Sequence, residues 1–228
     1  MNKQLLIIAI TVLLFSRCVN NDQPTPKMQK EVAQSPTPLP KKKTIVFFGN
    51  SLTAGYGLSP SEAFPAWIQK KLDSLNLPYT VVNAGVSGET SSGGNSRIDW
   101  VLRQAMDVFV LELGANDGLR GIPISETRKN LQSIIDKVKA TKPSVKLVLA
   151  GMQIPPNMGQ KYTTEFRNLY AELAAANNMT LIPFLLEGVG GEAILNQADG
   201  IHPTVEGHRI IAENIWREIA AILQQTAS

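Results

Sequence analysis

Ser51 lies in Gly49-Asn50-Ser51-Leu52-Thr53, directly after the apolar run Ile45-Val46-Phe47-Phe48. A serine hydroxyl is a weak nucleophile until a neighbouring imidazole takes its proton, and the imidazole needs a carboxylate to fix its tautomer. Asp199-Gly200-Ile201-His202-Pro203 supplies both groups three residues apart, a spacing that one helical turn folds into contact. Acyl transfer through such a serine also needs preorganised donors for the developing oxyanion, a role that suits a glycine N–H and an asparagine amide. Candidates stand in Asn83-Ala84-Gly85-Val86-Ser87-Gly88 and in Gly114-Ala115-Asn116-Asp117-Gly118. Each has a plainer reading alone: Ser51 as a helix cap, Asp199 before glycine as a turn former, Asn116 as a loop stabiliser. Their joint occurrence is what speaks for chemistry. His208, the only other histidine, shares the helical register of Ile211 and Ile215, which points to a structural role.

These residues are far apart in the chain and need a scaffold that gathers them. From Thr44 onward, short apolar runs alternate with amphipathic helical patterns, as in a parallel sheet covered on both faces. Strands are expected at 44–48, 79–83, 107–113, 145–150 and 180–184. Ser59-Pro60-Ser61-Glu62 has the form of a capping box with proline at the first helical position, leading into Phe64, Trp67, Ile68, Leu72 and Leu75. Leu131, Ile134, Ile135 and Val138 repeat the helical spacing, as do Phe166, Leu169, Tyr170 and Leu173. A last helix over 204–223 uses Ile211, Ile215, Ile219 and Ile222. Five strands with right-handed crossovers imply an α/β fold, a three-layer α/β/α sandwich of flavodoxin-like strand order. Open sheets of this kind bind ligands at the carboxyl ends of their strands, where Ser51 and the glycine-flanked segments emerge.

The N-terminal segments read differently. Lys3 precedes eleven apolar or near-apolar residues, Leu5 to Phe15, a secretory signal pattern too short for an ordinary transmembrane helix. Cys18, the single cysteine, follows at a position resembling the lipidated cysteine of bacterial lipoproteins, although Arg17 stands where a small residue is usual. A cleaved signal with an incidental cysteine, or an uncleaved anchor, remains the alternative. Residues 18–43 include five prolines and few apolar side chains, the composition of an extended tether. The expected organisation is thus a signal segment 1–17, a tether 18–43 and a folded domain 44–228. The net charge of +3 belongs to the leader and tether, because residues 44–228 hold 15 Lys and Arg against 17 Asp and Glu. No basic footprint for nucleic acid is visible on the domain. One cysteine and two histidines make no ordinary zinc cluster and no internal disulfide. No cofactor motif is present, and nothing suggests more than a monomer.

Taken together, Gly49-Asn50-Ser51-Leu52, Gly88, Asn116 and the Asp199/His202 pair resemble the four signature blocks of the SGNH (GDSL-type) hydrolases. The strings Gly114-Ala115-Asn116-Asp117-Gly118-Leu119-Arg120-Gly121 and Asp199-Gly200-Ile201-His202-Pro203 are similar to those of its periplasmic acyl-thioesterase, arylesterase and lysophospholipase group. The resemblance spans residues 44–223. It implies Ser51 as nucleophile, His202 as base and Asp199 as its orienter. It implies the Ser51 N–H, the Gly88 N–H and the Asn116 side chain as oxyanion donors. It also places Leu119, Ile122 and Pro123 beside the acyl site, with the loop from Ile154 to Gly159 a second candidate. Asn50 departs from the pattern, which usually has aspartate before the serine. The implied substrate is a small acyl ester, thioester or lysolipid, and the implied location is the cell envelope, with a lipid anchor at Cys18. A carbohydrate O-acetylesterase and a non-catalytic ligand-binding lipoprotein are the rival readings.

Overall fold

A computed structural model describes residues 42–225; the segment 1–17, Cys18 and nearly all of the tether lie outside the described residues. Five strands, β1 (Lys43–Gly49), β2 (Tyr79–Gly85), β3 (Val108–Glu112), β4 (Lys146–Ala150) and β5 (Thr180–Ile182), form one sheet. Every pair is parallel, in the order β2-β1-β3-β4-β5, which is the flavodoxin-like order. Ile45 to Phe48 are without solvent exposure, and Val108 to Leu111 nearly so, because a parallel sheet covered on both faces buries every side chain of its central strands. The chain leaves β1 for β2 and then returns past β1 to β3. The carboxyl ends of β1 and β3 therefore flank the crevice at which the connections diverge.

Right-handed crossovers put α2 (Phe64–Ser74) and α7 (Val205–Gln225) together on one face, where they pack on each other. On the other face α5 (Ile124–Thr141) packs between α3 (Ser91–Val101) and α6 (Gln160–Asn177). The buried large aliphatic side chains of α7 are Ile211, Ile215, Ile219 and Leu223, at four-residue spacing, whereas Ile222 is only partly buried. Two elements differ from the sequence expectation. Helix α2 starts at Phe64 rather than at Pro60. The Ser59 N–H does reach the Glu62 carboxylate at 2.9 Å, but the turn it closes is separate, and Pro65 fixes the true first turn. Helix α3 has no strong propensity signal, since Ser91-Ser92-Gly93-Gly94 opens it. Thr90 caps it through the Gly93 N–H, and Ser91 is tied to Asp117 through both its N–H and its hydroxyl. Strand β5 stops at Ile182 because Pro183 has no N–H to give to the ladder. Among the described residues no helix is long and apolar enough to cross a membrane.

His208 joins the helices of the first face. It is buried in α7, and its Nδ1 accepts the Phe64 N–H at 3.1 Å, capping α2, whose own N-cap Ala63 offers no side-chain acceptor. Burial, helped by the nearby His202, holds its pKa down at about 4, against an ordinary 6.5. The unfolded chain therefore takes up a proton that the folded one refuses. The stability His208 contributes is complete above pH 6.5 and is lost as the pH falls toward 4. His208→Gln keeps an acceptor and does not titrate. The unfolding free energy of the wild type relative to this variant should fall by up to about 1.4 kcal/mol per pH unit across that window, as read from denaturant melts. A pH-independent difference would show that His208 is protonated equally in both states.

Candidate active site

The turn after β1 is built around two constraints. A short helix, α1 (Ser51–Ala54), begins immediately, so Ser51 sits where strand changes abruptly to helix. Asn50 caps it, its Oδ1 accepting the Leu52 N–H at 2.9 Å. On the other side, the carboxylate of Glu112 at the end of β3 receives the Asn50 N–H at 3.0 Å, the Asn50 Nδ2 at 2.7 Å and the Thr53 hydroxyl at 2.8 Å. A Cβ at position 49 would collide with that carboxylate and with Thr53, so the turn requires glycine there. Glu112 is 1% exposed. Burial pushes its carboxyl up to about 7, against the opposing pull of hydrogen bonds from Thr53 and Asn50.

Ser51 Oγ lies 2.9 Å from His202 Nε2, and His202 Nδ1 lies 2.7 Å from Asp199 Oδ2. Asp199 Oδ1 also accepts the N–H groups of Ile201 and His202, each at 3.0 Å. These donors, the imidazole first, hold the Asp199 carboxyl down at about 2, so it is ionised at neutral pH. An ionised acceptor at Nδ1 assigns the imidazole proton to that nitrogen and leaves Nε2 free to accept from the serine. Residues 151 positions apart are thereby in proton-transfer contact.

The facing wall comes from the ends of β2 and β3. Gly88 has φ of +79°, a left-handed conformation that favours glycine, and no neighbour crowds the space a Cβ would take. The Arg120 guanidinium donates to the Gly88 carbonyl at 3.1 Å, and Arg97 clamps Glu89 while donating to the carbonyls of Ala84 and Gly49. Asn116 is the second residue of another short helix, α4 (Ala115–Leu119), and its Nδ2 donates to the Glu89 carbonyl at 2.9 Å. An amide nitrogen carries two hydrogens, so this bond orients the group and leaves the second for a ligand. The Ser51 N–H, at the first position of α1, has no intrahelical acceptor. Asp117 is buried beneath, taking hydrogen bonds from Ser91 and Thr127 and so pinning α3 and α5 to the loop.

Ser51, Gly88, Asn116 and His202 open on one cavity of about 640 Å³. Leu119 lines it, but Ile122 and Pro123 do not. The Ile122 carbonyl accepts the Tyr162 hydroxyl and Pro123 serves as N-cap of α5, so the chain turns away from the cavity after Arg120. Beside Leu119, the apolar wall includes Met152, Ile154 and Pro155 after β4 and Phe184 and Leu186 after β5. Of these, the sequence reading singled out only the loop beginning at Ile154. It also passed over Tyr56, whose ring centroid stands 4.5 Å from that of His202. Gln197 went unnoticed as well: its side chain donates to the carbonyls of Tyr56 and Pro203, and its N–H donates to the His202 carbonyl. Neither Gln197 nor Tyr56 carries a distinguishing signal in the sequence.

Residues 47–210 match the model of the GDSL-like Lipase/Acylhydrolase family. The chain is 40% identical over 182 residues to the protein named Esterase TesA of Pseudomonas aeruginosa, covering 79% of this chain and 90% of that one. It is 36% identical to the Escherichia coli protein named Thioesterase 1/protease 1/lysophospholipase L1, covering 79% and 85%. Among solved structures, that of TesA superposes with a TM-score of 0.76 at 39% identity, covering 79% of this chain and 99% of the other. The psychrotrophic esterase EstA from Pseudoalteromonas sp., solved inhibited by monoethylphosphonate, gives a TM-score of 0.75 at 32% identity, covering 80% and 100%. The gathering of serine, histidine, aspartate, glycine and asparagine at one sheet edge thus goes with likeness along the whole domain, and the chain belongs to the GDSL-like lipase/acylhydrolase family as a serine ester hydrolase.

Proposed function

We propose that Ser51 is the nucleophile of an acyl-enzyme mechanism and that the substrate is an acyl ester or thioester with an apolar chain. The observation that carries this reading is the unbroken contact from Ser51 Oγ through the His202 ring to Asp199, at 2.9 and 2.7 Å. Ser51 Oγ attacks the carbonyl carbon while His202 Nε2 takes its proton, and ionised Asp199 stabilises the imidazolium. The carbonyl oxygen, now negative, is held by the N–H groups of Ser51 and Gly88 and by the free hydrogen of the Asn116 amide. Collapse of the intermediate breaks the bond to the alcohol or thiol, which leaves with the proton from His202. Water then attacks the acyl-enzyme by the same route, releasing the acid and restoring Ser51. Ser51→Ala should abolish hydrolysis of p-nitrophenyl esters and labelling by a fluorophosphonate, with the thermal transition nearly unchanged. Asn116→Ala should lower kcat by about 10²–10³. A labelled adduct on any other residue would overturn the assignment.

The cavity's apolar wall supports a chain longer than acetyl, since Met152, Phe184 and Leu186 offer surface for several methylenes. Each buried methylene is worth about 0.8 kcal/mol, so p-nitrophenyl octanoate should exceed the acetate by at least tenfold or so in kcat/KM. The opposite preference would favour removal of O-acetyl groups from carbohydrate. Lysophospholipids, aryl esters and acyl thioesters all present such a carbonyl, and the names of the relatives lend support to that range.

We further propose that the protein is exported and held at a membrane surface by lipid on Cys18, as a monomer. The apolar segment from Leu5 to Phe15 and the proline-bearing tether support this reading. Cells fed a radiolabelled fatty acid should incorporate it into the wild type and not into Cys18→Ser. Equal incorporation would remove the anchor.

A further inference from the structure

Glu112 has no task in the hydrolytic scheme, yet every group it touches belongs to the turn that carries the nucleophile. We propose that Glu112 is a positioning residue for Ser51, acting as a carboxylate through Asn50. On this proposal asparagine replaces the usual aspartate because its amide donates to that carboxylate. The proposal rests on the reading of Ser51 as nucleophile.

The Leu52 N–H must have an acceptor, which fixes Asn50 Oδ1 on that side at 2.9 Å and leaves Nδ2 facing Glu112 at 2.7 Å. With the Asn50 N–H and the Thr53 hydroxyl added, the carboxyl group faces three donors. A carboxylate satisfies all of them. A protonated Glu112 would place its own hydrogen among donors and force either the amide to flip, losing the cap on α1, or Thr53 to turn. Either change moves the residues on both sides of Ser51.

The neighbouring charged and titratable groups leave Glu112 to the turn alone. Tyr170, from α6, gives its hydroxyl to the Leu113 carbonyl at 3.0 Å. Arg97, from α3, is engaged by Glu89 and by the carbonyls of Gly49 and Ala84. Asp117, from α4, is satisfied by Ser91 and Thr127. Among the described residues no ion pair reaches Glu112. The attraction of the buried charge for Asn50 and Thr53 therefore draws the start of α1 onto β3 and holds the serine between two anchored residues.

The test is an exchange of polarity. In Glu112→Gln an amide hydrogen faces the Asn50 donors, so kcat and the rate of fluorophosphonate labelling should fall about tenfold or more with KM nearly unchanged. In Asn50→Asp two carboxyl groups meet and must share one proton. That variant should work in mildly acidic solution and lose activity at alkaline pH where the wild type stays level. The double variant N50D/E112Q places an acceptor opposite a donor again and should recover most of the lost kcat. Wild-type kcat in E112Q, a level alkaline profile in N50D, or a double variant no better than E112Q would each overturn the proposal. Should E112Q fail to fold, the N50D profile and the double variant still decide. Activity retained in Ser51→Ala would mark failure of the nucleophile assignment itself, a separate result.

Discussion

The packing of α7 against α2 is the constraint on which the site depends. Strand β5 lies three strands from β1, about 14 Å at ordinary strand spacing. A histidine placed directly after β5 would never reach a serine placed directly after β1. The connection from Pro183 to Thr204 crosses that distance along the carboxyl edge of the sheet. It is tacked down by the Leu185 N–H on the Gly151 carbonyl, by Asn196 bridging the carbonyls of Val189 and Glu192, and by the Thr204 N–H on the Leu195 carbonyl. Its far end is fixed because α7 then packs on α2 and against β5, seating Ile211, Ile215 and Ile219 in the core. His208 adds a polar tie between the same two helices. Apolar burial on one face of the molecule thus sets a proton-transfer distance on its edge.

The same edge concentrates buried polar groups, and they oppose one another electrically. Glu112, raised to about 7, is favoured by low pH in the folded state, so its stabilising contribution is present below about 4.5 and lost as the pH rises through 7. His208, lowered to about 4, has the opposite slope over 4 to 6.5. Where the windows overlap the two contributions offset, so stability there has no steep net dependence on acidity. A buried carboxylate held by neutral donors costs stability relative to an apolar residue. Its retention under Ser51 is understandable if the cost secures the geometry of one turn.

The sheet was legible because parallel strands buried on both faces write continuous apolar runs, as in Ile45 to Phe48 and Val108 to Leu111. Alternation with amphipathic helices pointed to a parallel sheet, and the observed order is the flavodoxin-like one expected. Helix α3 was not legible, since Ser91-Ser92-Gly93-Gly94 carries neither propensity nor stripe, and its stability comes from Asp117 and Thr90, contacts made after folding. The start of α2 was misplaced because Ser59 and Glu62 do form the bond that a capping box predicts, in a turn that precedes the helix. The polar site residues could be named from glycine-flanked strings that repeat across a family. Its apolar half could be named only in part, through Leu119 and the loop beginning at Ile154. Met152, Phe184 and Leu186 are ordinary core types in sequence, and only the bend of the chain after β4 and β5 turns them toward a cavity instead of into the interior.

That contrast reflects a division of labour along the sheet. The polar groups at the ends of β1, β2 and β3 are tied together by short polar bonds: Asn50 to Glu112, Asn116 to Glu89, Ser91 to Asp117. Because each member satisfies another's hydrogen-bonding needs, substitution at one position leaves a buried donor or acceptor orphaned, at about 1–3 kcal/mol. Much of the cavity's apolar wall arises from the ends of β4 and β5, from Met152, Ile154, Phe184 and Leu186, where volume can change without leaving a polar group unpaired. His202 alone spans the two halves, since its loop begins on the β5 side and its ring ends on Ser51. Substrate preference can therefore drift with the loops after β4 and β5 while the chemistry stays fixed, and the histidine loop, clamped by Gln197 to Tyr56 and Pro203, is where a change in one half would be felt in the other.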